Sequence, residues 1–196
     1  SDNKDVFERV SSALDIEAGR FILAREGPKE VPQQYLVQNG TRTQLTKNLD
    51  YTPDVTNAVV ERITIERPDG FKFRTTVTLP QNYQKGNRLP AIFWFYPREF
   101  QDQDAYDRPD RTFNKNAFQA FGPRSMEFLV RLGYAVVEPD SPIVGPAGQM
   151  NNNYVHDLRN NLAAVIDELD RRALIDRTRL AIGGHSYGAF SAVNAM

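Results

Sequence analysis

The residues that most restrict the fold of this chain are Gly184-His185-Ser186-Tyr187-Gly188, preceded by the apolar run Leu180-Ala181-Ile182-Gly183 and followed by small residues from Ser191 to Ala195. A β-strand that turns at once into a helix brings backbone against backbone, and glycine alone keeps a Cβ out of that turn. Gly-x-Ser-x-Gly between a strand and a helix is the layout of a nucleophile elbow, in which the sharp turn lifts the serine hydroxyl clear of the sheet. Ser186 is therefore the candidate nucleophile, with Gly184 and Gly188 as the residues that permit the turn. The plainer alternative is a glycine turn that holds an ordinary serine.

The preceding chain supplies the context such a turn needs. Val6 to Leu14 fits a helix or a strand equally. From Arg20 to about Tyr51 the pattern is strands broken by turns: Arg20 to Glu26, a Gly27-Pro28 break, Gln34 to Gln38, an Asn39-Gly40 turn and Thr41 to Thr46. This is the rhythm of an antiparallel meander, too small to be stable alone. Leu49 to Asn57 reads as a linker, which divides the chain into residues 1–52 and 53–196. A hairpin follows, Val59 to Glu66 and Phe71 to Leu79 around Pro68-Asp69-Gly70. Alternation at Ile63, Ile65, Phe71 and Phe73 gives it one buried face.

After Pro80 the period changes. Leu89 to Tyr96 and Tyr134 to Glu138 are continuous apolar runs, as in strands covered on both faces. A helix is expected from about Asn116 to Leu132, interrupted at Gly122-Pro123 and capped by Gly133. A second helix, Tyr154 to Arg172, carries Leu158, Leu162, Val165, Ile166 and Leu169 on one stripe. Strand, helix, strand, helix, strand implies a parallel sheet with covering helices. An antiparallel hairpin leading into such a sheet, with the elbow after its third parallel strand, is the α/β-hydrolase arrangement.

Bulk properties exclude several classes of function. A net charge of −1 offers no field for nucleic acid or an anionic membrane surface. No apolar window is long enough for a membrane-spanning helix. The chain has no cysteine, which rules out a thiol nucleophile and disulfides while leaving the compartment open. No spacing of His, Asp or Glu suggests a metal site, and no cofactor is expected. Asp102, Asp104, Asp107 and Asp110 lack the glycine and final glutamate of a calcium loop, so a solvated loop is expected there.

The segment from Asp176 through the elbow to Phe190 resembles the corresponding part of the prolyl oligopeptidase family of serine peptidases. Leu89 to Phe100, with its Tyr96-Pro97-Arg98-Glu99-Phe100 ending, is similar more narrowly to the glutamyl-peptidase branch. The likeness runs from about Arg20 to the end, and the meander resembles the last strands of that family's β-propeller. The resemblance implies a partial α/β-hydrolase domain acting on peptides by acyl transfer: Ser186 attacks a carbonyl, a histidine takes its proton and an aspartate orients that histidine. The Tyr187 N–H is the natural first oxyanion donor, because it follows the nucleophile. The resemblance implies that Tyr96 supplies a second; its alternative role is a sheet-end aromatic with a wet tip. Arg98 is a conceivable cation for a preference after Glu or Asp, and surface solvation is the ordinary role of such a residue.

The sequence departs from the family pattern at the triad. In α/β hydrolases Asp and then His follow the serine, whereas only ten residues follow Ser186 here (196 − 186). His185 is next to the nucleophile and directed away from its hydroxyl, and His156 falls on the polar side of its helix. The expectation is a fragment, inert on its own, that requires the missing C-terminal part of the same domain. An esterase of the same fold and a non-catalytic hydrolase-like binding module are the alternatives.

Overall fold

The structure, a computed structural model, describes residues 4–108 and 114–196. Two compact units divide it, one formed by the described part of Ser1–Asn57 with Thr112–Pro123 and the other by that of Ala58–Arg111 with Arg124–Met196.

The first unit is an antiparallel sheet of four strands in chain order, β1 (Phe7–Asp15), β2 (Arg20–Gly27), β3 (Glu30–Gln38) and β4 (Thr41–Gln44). The segment that fitted either helix or strand is thus β1, and the meander has four strands. The Asn39-Gly40 turn joins β3 to β4, both residues at positive φ (50° and 75°), the conformation that such pairs tolerate. Glu8 on β1 accepts from Arg42 at 2.8 Å and Arg25 at 3.3 Å, and these guanidinium groups hold its carboxyl below the usual range. A short helix, α1 (Pro53–Thr56), occupies the expected linker.

Residues 114–123 are not helical, contrary to the helix expected from Asn116. Their polar groups are committed elsewhere: Asn116 Nδ2 donates to the carbonyl of Lys4 at 3.1 Å, and the Phe118 N–H donates to Glu26 at 3.0 Å. Pro123 also lacks the N–H that a continuing helix would use. The helical part of that prediction survives as one 3₁₀ segment, Met126–Leu132, closed by Gly133 at φ 83°.

The second unit is built on a mixed five-stranded sheet. Its strands are β5 (Val59–Glu66), β6 (Lys72–Leu79), β7 (Leu89–Trp94), β9 (Ala135–Pro139) and β11 (Ile175–Gly183), in the order β11-β7-β9-β6-β5. β7 pairs in parallel with both β9 and β11, while β6 pairs antiparallel with β9 and with β5. A two-stranded parallel ribbon, β8 (Arg98–Phe100) with β10 (Pro142–Val144), extends beyond the ends of β7 and β9. A short helix α2 (Gln103–Asp107) follows β8 and is capped by Asp102, whose carboxylate accepts from the Ala105 N–H at 2.7 Å. The expected solvated acidic loop is therefore helical in part, and Asp110 lies outside the described residues.

Helix α3 (Tyr154–Arg171) covers one face of the sheet. Its stripe of Leu158, Leu162, Val165 and Leu169 joins Phe73, Val77, Ala91, Phe93 and Val137 in one core. Burying each such side chain contributes about 1.5–3 kcal/mol. The opposite face is less enclosed, since Ile92, Trp94 and Glu138 are only half-buried. The continuous apolar run of β7 therefore overstated its burial: one face is sealed and the other partly open. Among the described residues no helix is long and apolar enough to cross a membrane.

Candidate active site

β11 ends at Gly183, and helix α4 (Tyr187–Ala195) begins four residues later. Between them Ser186 sits at φ 53° and ψ −116°, a conformation that costs an L-residue of order 1–3 kcal/mol and persists only where the surroundings impose it. The surroundings here are backbone. A Cβ on Gly184 would lie 2.4 Å from the carbonyl carbon of Gly188, and one on Gly188 would lie 2.1 Å from the carbonyl oxygen of Phe95. The strand, the helix and the segment leaving β7 therefore meet without room for a methyl group. Ser186 itself is exposed.

This packing brings Tyr96 beside the elbow. Its ring meets that of Tyr187 edge-on, with centroids 5.9 Å apart, and Tyr96 is 50% exposed. The turn's own hydrogen bonds run from the N–H of Gly188 to His185 and from those of Ala189 and Phe190 to Ser186, which leaves the Tyr187 N–H out of the helical ladder. Tyr187, Tyr154 and Phe190 form an aromatic group with centroid distances from 5.7 to 6.1 Å. One hydrogen bond staples α4 to α3, Tyr154 donating to Ser191 Oγ at 2.5 Å, and within α4 Ser191 donates to the Tyr187 carbonyl at 2.6 Å.

The Tyr187 phenol donates to Asn151 Oδ1 at 3.2 Å, and Asn151 Nδ2 donates to Glu99 Oε1 at 2.6 Å. Burial, assisted by Tyr154, Glu99 and Tyr96, pushes the Tyr187 hydroxyl up to about 12, so it stays a neutral donor. Asn151, Tyr154 and Ser191 were not singled out in the sequence, and Glu99 entered only as part of the Tyr96–Phe100 segment, with no role assigned to it. Asn151 lies in a polar Asn-rich run and carries no local signal.

A second polar cluster escaped the sequence reading. Arg67, at the end of the β5 side of the hairpin, is buried and meets Asp157 of α3 at 3.2 Å, Asn161 at 3.2 Å and both carboxylate oxygens of Asp69. Asp157 also accepts from the Val144 N–H of β10 at 2.7 Å, and Asn161 Nδ2 donates to the Pro142 carbonyl at 2.8 Å. The guanidinium also lies 5.1 Å from the Phe71 ring centroid. This clamp ties the hairpin, α3 and the β8–β10 ribbon together.

The remaining polar candidates do not converge on Ser186. His185 is exposed, and His156 is exposed on α3, its Nε2 2.9 Å from Asn160 Nδ2. Arg98 is exposed, one residue from Glu99 on a strand whose neighbours alternate in direction. Among the described residues no three His, Cys, Asp or Glu side chains group as metal ligands would.

No family model matches the chain. It is 30% identical over its whole length to 22% of a probable chloroplastic glutamyl endopeptidase of Arabidopsis thaliana. Over 88% of its length it is 30% identical to a quarter of the lasso peptide isopeptidase AtxE2 of Asticcacaulis excentricus. The apo structure of AtxE2 superposes with a TM-score of 0.55, at 24% identity, over 88% of this chain and 26% of that one. A post-proline cleaving enzyme from Rickettsia typhi superposes with a TM-score of 0.53 over 93% of this chain and 25% of that one, at 20% identity. The chain thus spans about a quarter of the length of the proteins it matches.

Proposed function

The chain belongs to the prolyl oligopeptidase family of serine peptidases, and from that premise we propose that it carries the nucleophile-bearing part of an α/β-hydrolase domain that cleaves peptide bonds through an acyl-enzyme. Ser186 Oγ attacks the carbonyl carbon as its proton passes to a histidine outside this chain. The Tyr187 N–H, with Tyr96 beside it, receives the developing oxyanion. Collapse expels the amine, which takes up that proton, and water then releases the acid. The four-stranded meander is read as the end of a β-propeller. Alone, without a triad Asp and His, the chain is inert.

The observation that carries this reading is the strained, exposed Ser186 on a turn whose glycines touch backbone, with an N–H outside the helical ladder directly after it. The full-length gene product is the enzyme to assay. Ser186→Ala should lower peptide hydrolysis by roughly 10⁴-fold or more without changing the thermal midpoint, and turnover surviving the substitution would remove Ser186 from the role. Cleavage after Glu or Asp, as the similarity to a glutamyl endopeptidase suggests, calls for a cation such as Arg98. A second preference, for neutral residues before the scissile bond, is favoured by the Glu99 carboxylate on the network that reaches Tyr187. Comparing kcat/KM for matched peptides with Glu, Gln and Ala before the scissile bond separates the two.

A further inference from the structure

Resting on Ser186 as the nucleophile, we propose that Asn151 and Glu99 are positioning residues: they fix the Tyr187 side chain, and with it the first peptide of α4 that follows the nucleophile. Neither residue has a role in the mechanism above, yet Asn151 meets the elbow directly and Glu99 reaches it through Asn151, each from another element.

The geometry makes the arrangement directional. Glu99 is an acceptor, so the 2.6 Å contact requires Asn151 to present its Nδ2 there and leaves Oδ1 for Tyr187. The Tyr187 phenol, kept neutral, donates to that oxygen at 3.2 Å. Rings on several sides limit tilting of Tyr187, and the hydrogen bond fixes the remaining motion at its tip. At the other end, the Ser191 hydroxyl holds the Tyr187 carbonyl at 2.6 Å. The residue that offers the proposed oxyanion N–H is thus gripped at its ring tip and its carbonyl.

The Glu99 end of this grip is tied to the buried clamp. Glu99 lies on β8, which pairs with β10, and β10 is held by Asp157 and Asn161 of the Arg67 clamp. A continuous set of contacts therefore joins the buried clamp to the elbow. Asn151 and Glu99 are themselves exposed, so their hydrogen bond adds little to folding stability. Its consequence is expected in the rate.

The test uses the full-length gene product, four single variants and one double variant, with kcat and KM on a peptide, the inactivation rate by a fluorophosphonate, and the thermal midpoint as readouts. Asn151→Ala and Tyr187→Phe should each lower kcat about threefold to tenfold, slow inactivation in parallel and leave the midpoint near wild type. The double variant should lose no more than either single one, because both remove the same bond. Glu99→Ala should match Asn151→Ala, and Glu99→Gln, whose amide oxygen still accepts, should restore most of the rate. Wild-type kinetics in Asn151→Ala, or multiplied losses in the double variant, would overturn the positioning role while Ser186→Ala remains inactive. An active Ser186→Ala enzyme would instead overturn the premise.

Discussion

The elbow and the Arg67 clamp lie in one unit and solve opposite problems. At the elbow, three backbone segments meet because side chains are missing: Gly184 and Gly188 approach their neighbours more closely than any Cβ allows. At the clamp, three elements meet because side chains are present, with one guanidinium facing two carboxylates and an amide in a buried setting. A close backbone approach is specified by consecutive residues and tolerates almost no substitution. A buried ionic cluster is specified by residues far apart in the chain, and it could be exchanged for apolar groups of similar shape. The first is a requirement of the turn itself, and the second is one way among several to hold the ribbon.

That contrast can be broken by mutation. The largest effect is expected at Gly188→Ala, where the new methyl would meet the Phe95 carbonyl oxygen at 2.1 Å with only backbone to give way. A loss of roughly 4 kcal/mol or more, or no soluble protein, should appear in urea unfolding, and a near-neutral result would mean that the elbow is looser than described. Next comes Arg67→Met, which leaves Asp157 buried without its cation and should cost about 3–5 kcal/mol. Adding Asp157→Leu should recover part of that loss. If the double variant is no better than the single one, the clamp is less replaceable than the comparison holds.

A smaller effect is expected at Glu138, which has burial without a clamp. Burial, and then the charge of Glu127, push its carboxyl up to about 7 from an ordinary 4.5. The folded state therefore binds the proton more tightly than the unfolded chain. The resulting stability is fully present below about pH 4.5 and is lost as pH rises through about 7. Glu138→Gln should remove this loss, with a gain on the order of 1–2 kcal/mol at pH 8 and none at pH 4. Denaturant unfolding of both forms at the two pH values measures it, and equal gains at both would rule out titration as the cause.

What could be read from the sequence follows the same division. The elbow, the Asn39-Gly40 turn, the hairpin at Pro68-Asp69-Gly70 and the stripe of α3 are each set by neighbours within a few residues, and all are found where expected. The helix expected at Asn116 fails because its polar groups are spent on Lys4, ahead of β1, and on Glu26 of β2, 112 and 92 residues away. On α3, Asp157 and Asn161 lie outside the apolar stripe, and their burial depends on partners in other elements, above all Arg67, 90 or more residues earlier (157 − 67 = 90). The roles of Asn151 and Glu99 were hidden for the same reason: Asn151 bonds Tyr187, 36 residues away, and Glu99 bonds Asn151, 52 residues away (187 − 151, 151 − 99). Local chemistry located the elbow and its candidate nucleophile, whereas the groups proposed to steady it belong to the tertiary fold.

The central claim is that Ser186 is an activated nucleophile in the assembled enzyme. It is tested most directly by treating the full-length gene product with a fluorophosphonate and mapping the adduct by peptide mass spectrometry. The account predicts one adduct, on Ser186, formed at a rate that follows loss of peptidase activity and absent from Ser186→Ala. Loss of activity with the adduct on another residue, and Ser186 unmodified, would contradict it.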